Sequence, residues 1–123
     1  MFFRNAGHSQ RFYECFSTSK GTSPGYLSAI YLLTAYGDLW LKVREGVTAT
    51  EIDFGKMNPQ GMRTKAYILY SAAKDVLMNT SNLTLYDLYD CRNMGEDTLN
   101  LILNAIQIKR KGFNEWISPS KRE

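Results

Sequence analysis

A chain of 123 residues with 44% hydrophobic and 22% charged side chains carries enough apolar material for one buried core, which excludes a disordered segment. The formal charge of +3 resides wholly in residues 109–123, whereas the residues before them hold ten basic and ten acidic side chains. That balance excludes the broad basic surface on which nucleic-acid affinity usually depends.

The first element expected in chain order is a helix over about residues 6–18. Phe12, Cys15 and Phe16 recur at helical spacing, and Asn5 is placed to cap the start. KGTSPG at residues 20–25 breaks the chain, and Ser23-Pro24 supplies a cap followed by proline at the first helical position. From Pro24 the sequence is apolar on nearly every face to about Tyr36, the pattern of a central buried helix, with Gly37 expected to end it. Residues 38–44 read as a short second piece carrying Trp40 and Val43, and 45–58 as an irregular loop or short extended pair.

Asn58-Pro59 repeats the cap-then-proline signal and predicts a long helix to about Met78, its inward stripe running through Met62, Ala66, Leu69, Tyr70, Ala73, Val76 and Leu77. Thr84 and Asp87 form a capping-box pattern for a short helix. The last strong helix spans about residues 96–109. The expectation is an all-α, single-domain bundle of five or six helices in residues 1–111, followed by a basic, partly ordered C-terminal tail at 112–123.

Chemistry-bearing constellations are few. A structural zinc site needs four Cys or His ligands, and His8, Cys15 and Cys91 are three at unrelated positions. Asp87, Glu96 and Asp97 fall in first turns of predicted helices, where the helix dipole favours negative charge, a better account of them than a magnesium site. No G-x-S-x-G and no phosphate-cradling glycine pattern is present. His8 and Cys15 stand two turns apart, about 10 Å along one helix, too far for proton transfer. The expectation is a non-enzymatic protein without metal or cofactor, in which His8 is a hydrogen-bonding residue near a helix start.

Two binding classes remain. A protein partner or a second copy of the chain suits the aromatic surplus, with His8, Arg11, Trp40 and Trp116 as interaction candidates. The alternative is a nucleic-acid-binding regulator in which residues 84–111 form a helix-turn-helix-like segment. Asn100, Asn104, Gln107, Lys109, Arg110 and Lys111 would then face the duplex, although Glu96 and Asp97 at the helix start oppose phosphate. The two cysteines read as buried reduced thiols. No secretory pattern opens the chain, and its longest nearly apolar run, residues 26–36, falls short of the roughly 20 residues that span a bilayer. The reading is therefore cytoplasmic, with no membrane partner.

F-x-N-x-x-H-x-x-R-F, as Phe3, Asn5, His8, Arg11 and Phe12, resembles the opening of a family of small uncharacterised proteins from Gram-positive bacteria and their mobile elements. S-A-I-Y-L-L at 28–33 and the pairing of L-T-L-Y-D-L-Y at 83–89 with L-N-A-I-Q-I at 103–108 are similar as well. That family carries a domain-of-unknown-function label, so the resemblance transfers no catalytic or binding residue. It implies a small host-interaction, regulatory or defence-countering protein, and the basic C-terminal extension departs from its simplest pattern.

Overall fold

The computed structural model describes residues 2–18 and 23–112, and among these it is all-α. Six α-helices follow in order: α1 (Ala6–Thr18), α2 (Pro24–Leu33), α3 (Gly37–Val43), α4 (Thr64–Met78), α5 (Leu85–Tyr89) and α6 (Glu96–Lys111). Of the predicted tail, only Gly112 is among the described residues.

The bundle is built around α2. Nine of its ten residues, from Gly25 to Leu33, are buried, so the helix is covered on every side. Ser23 caps it by accepting the Tyr26 N–H at 3.2 Å, and Pro24 sits in the first turn as the sequence predicts. Its neighbours are α4 and α6, which present Ala66, Leu69 and Ala73, and Leu101, Ala105 and Ile108. Each fully buried Leu or Ile in this layer contributes about 1.5–3 kcal/mol.

Relative directions follow from the contacts. A Cβ on Gly25, at the start of α2, would lie beside the Val76 carbonyl and Lys109 Nζ, near the ends of α4 and α6. At the other end of α2, the Arg63 guanidinium before α4 lies over the Tyr36 ring at 5.1 Å. Helix α2 therefore runs antiparallel to α4 and α6, and these two run parallel to each other. The chain between them, residues 79–95, has to travel back along helices about 22–24 Å long. Helix α5 lies on that return path and buries no residue fully.

Two boundaries differ from the sequence expectation. Helix α2 stops at Leu33, where Thr34 leaves helical backbone angles and its hydroxyl donates to the Ile30 carbonyl at 2.7 Å; Gly37, expected as a terminator, is the first residue of α3. Helix α4 starts at Thr64 rather than at Pro59. The Asn58 side chain accepts the Gln60 N–H at 3.0 Å in a tight turn, and Gly61 takes a φ of 85°, which no helix continues. The Thr84–Asp87 capping box forms as predicted. Residues 44–56 hold two 3-10 turns and one antiparallel bridge, Val47 to Ile52.

Gly46 is where that loop closes on itself. A Cβ there would stand 2.6 Å from the Asp53 carbonyl oxygen and 3.0 Å from the Met57 side chain. Gly46→Ala is expected to cost about 1–3 kcal/mol through this overpacking, read as a lower urea midpoint at unchanged slope.

Candidate functional site

The N-terminal stretch with the only histidine forms a buried, hydrogen-bonded polar cluster. Asn5 Oδ1 accepts the His8 N–H at 2.9 Å and starts α1. This points the His8 ring inward, where it is 0% exposed. Nδ1 accepts the Arg4 backbone N–H at 3.0 Å, so the proton sits on Nε2, which donates to the Tyr31 carbonyl at 2.7 Å. Phe3 packs edge-on against the ring at 5.0 Å, and Tyr31 lies 4.8 Å away. The Tyr31 hydroxyl in turn donates to the Phe2 carbonyl.

Arg11 and Arg4 extend the same device. Arg11 Nε donates to the Thr34 carbonyl at 2.8 Å and Arg4 Nε to the Ala35 carbonyl at 3.0 Å, while the Arg4 guanidinium stacks 4.2 Å above the Tyr36 ring. His8 and Arg11 of the motif, together with Arg4, thus satisfy carbonyls at the end of α2 and in the turn that follows it. His8 is a core residue with no exposed surface, and Arg11, half-buried, is hydrogen-bonded to the backbone of the α2–α3 turn.

With both ring nitrogens engaged, His8 has no proton to exchange with a substrate. Burial drives its pKa down from 6.5 to about 4, against the Tyr31 hydrogen bond and with help from the Arg11 and Arg4 charges.

The other sequence candidates are dispersed. Trp40 is half-buried and lines a small hollow of about 150 Å³ with Cys15, Tyr26 and Val47. Burial pushes the Cys15 thiol up to about 11, whereas Cys91 is exposed rather than buried as expected. Trp116 lies outside the described residues. On α6, Asn100, Arg110 and Lys111 are exposed, and Asn104, Gln107 and Lys109 are half-buried. Asn104 donates back to the Asn100 carbonyl at 2.8 Å, and Gln107 Oε1 is buried with no partner, so two of the expected base-reading amides are turned onto the protein. Glu96 and Asp97 stand exposed at the helix start.

What the sequence did not reveal is a groove of about 370 Å³ between α4 and the returning chain. Tyr67, Ile68 and Ser71 line one wall, and Leu83, Asp87 and Asp90 the other. Asp75 anchors that second wall. Its carboxylate accepts from the Thr80 hydroxyl at 2.6 Å and from the Asn82 and Leu83 N–H groups at 2.8 Å each. Burial pushes the Asp75 pKa up, but these hydrogen bonds outweigh it and hold the carboxyl below the usual range. Tyr67 in the groove wall is 50% exposed, and Leu85, Tyr86 and Tyr89 on α5 are 78%, 52% and 72% exposed.

No group of three His, Cys, Asp or Glu side chains gathers to hold a metal among the described residues. Nor is any described helix long and apolar enough to cross a membrane. No family model, curated protein or solved structure matches the chain, so the family resemblance stands on the quoted residues alone.

His8 sets a pH signature. Its folded-state pKa is depressed, so as the pH falls the unfolded chain takes up the proton first. Stability is expected to be full above pH 6.5 and to decline towards pH 4, by about 3 kcal/mol in all. Urea unfolding of the wild type across this window, beside His8→Gln, checks it: the variant should be less stable at neutral pH and should lose the slope between 6.5 and 4. An unchanged slope in the variant would assign the effect elsewhere.

Proposed function

We propose that this chain is a non-enzymatic binding module of the cytoplasm that acts by docking another protein, a second copy of itself included, on the face formed by α5 and the start of α4. The observation that carries the reading is the exposed set Leu85, Tyr86 and Tyr89 on α5, the helix whose Asp87 lines the groove, with exposed Tyr67 in the groove's other wall. Single exposed apolar residues are ordinary, but three large ones on one short helix, with a fourth in the wall of the adjoining groove, match the composition of protein interface centres. The rings are already ordered: Tyr86 and Tyr89 meet edge to face at 5.4 Å, and Tyr67 stacks with Tyr70 at 6.1 Å. Such side chains lose little further freedom on binding.

Two free cysteines suit a reducing compartment. The commitment of both His8 ring nitrogens to the backbone, one to an N–H and one to a carbonyl, leaves the one histidine out of any acid–base role, which favours binding over catalysis. The exposed carboxylates at the start of α6 and the inward amides further along favour protein over duplex DNA. With the resemblance to small proteins of Gram-positive mobile elements, the module reads as an accessory or regulatory factor.

A photo-reactive phenylalanine analogue placed at Tyr89 in the full chain, with Leu41 on α3 as the equally exposed control site, tests the reading. Cross-links to one discrete protein from position 89 alone are expected, and Tyr86→Ala with Tyr89→Ala should weaken that complex by more than about 1 kcal/mol. Tight binding of generic duplex DNA at about 50 mM salt, falling steeply as salt rises, would overturn it in favour of a nucleic-acid regulator.

A further inference from the structure

We infer that the α4–α5 groove recognises a cationic side chain, an arginine above all, carried by an extended segment of the docked protein; this rests on the protein-binding reading above. The charged residues in its lining are Asp87 and Asp90, and no lysine, arginine or histidine is among the lining residues. Asp87 spends Oδ2 on the helix cap, where it accepts the Thr84 N–H at 2.9 Å, and its Oδ1 accepts no hydrogen bond. In the opposite wall Ser71 is 9% exposed and borders the groove. A serine hydroxyl in the wall and a half-used carboxylate are acceptors that a ligand donor would engage.

The lip of the groove already holds a guanidinium. Arg92 places Nε 3.3 Å from Asp90 Oδ1 and Nη2 3.3 Å from the Tyr86 hydroxyl. Both bonds are long, and the Arg92 side chain is 79% exposed, so this resident contact is weak and displaceable. An incoming arginine finds the same carboxylate and hydroxyl, the second carboxylate of Asp87, and the Tyr67 ring as a flat face. That set suits a planar fork of donors better than the compact ammonium of lysine. A volume of about 370 Å³ lies at the small end of ligand pockets, which run from about 300 to 1,000 Å³. Phosphates and acidic segments meet two carboxylates and are repelled.

The test uses the whole, isotope-labelled chain and two synthetic peptides, acetyl-Ala-Leu-Arg-Leu-Ala-amide and its counterpart with neutral, near-isosteric citrulline for arginine. Amide shifts of Ser71, Asn82 and Asn93 report groove occupancy. The arginine peptide should shift them saturably and the citrulline peptide bind at least about tenfold more weakly. Asp90→Asn, which keeps an acceptor for the turn, should weaken the arginine peptide alone, and Arg92→Ala, which removes the resident competitor, should tighten it. Equal binding of both peptides would overturn cation recognition and leave the aromatic docking face standing. No groove shift with either peptide, while Tyr89 still cross-links to a protein, would overturn the inference and spare the broader reading. Loss of both signals would sink the two together.

Discussion

The ending of α2 governs this structure. A helix buried on all sides cannot hand its last carbonyls to water, and each one left open would cost about 1–3 kcal/mol. The chain meets that demand with its own beginning: His8 serves the Tyr31 carbonyl, Arg11 that of Thr34, and Arg4 that of Ala35. Cations beside the negative end of a helix dipole add a further favourable term. Once these bonds are made, the position of α1, the stacking of Phe3 and Arg4, and the sharp turn into α3 all follow. The cluster that looks most like chemistry in the sequence is thereby consumed in holding the fold together.

A second constraint comes from the parallel course of α4 and α6. The connection must return the full length of the bundle, and it does so with one short helix and a series of side-chain-anchored turns. Asp75 at the end of α4 organises the first of these, and the Thr84–Asp87 box starts α5. Only Leu83, Leu88 and Met94 of this segment tuck against the core, so Leu85, Tyr86 and Tyr89 stay outside. The same economy of packing leaves the groove along α4. The exposed aromatic face is therefore a consequence of topology as much as of composition.

Local signals were legible because they act over three or four residues. Ser23-Pro24, Asn5 before His8 and Thr84 with Asp87 each place a side-chain oxygen within reach of a nearby N–H, and those caps formed where the sequence put them. The unbroken apolar run after Pro24 required burial on every side. Where a similar signal misled, as at Asn58-Pro59, the competing turn at Gly61 depended on a positive φ that glycine permits without announcing it.

The sequence by itself thus determined the fold class, the central helix and most helix starts, since propensity, capping and periodicity are short-range properties. It also showed too few ligands and no catalytic pattern. Tertiary structure alone decided what the long-range partners are. His8 reaches a carbonyl 23 residues away, Gln107 turns inward on a helix whose outer face looked polar, and Tyr67 meets the α5 segment across a groove. Such pairings depend on how three helices cross and on the route of the chain between them. No spacing along the sequence encodes them, because they arise only when the bundle closes.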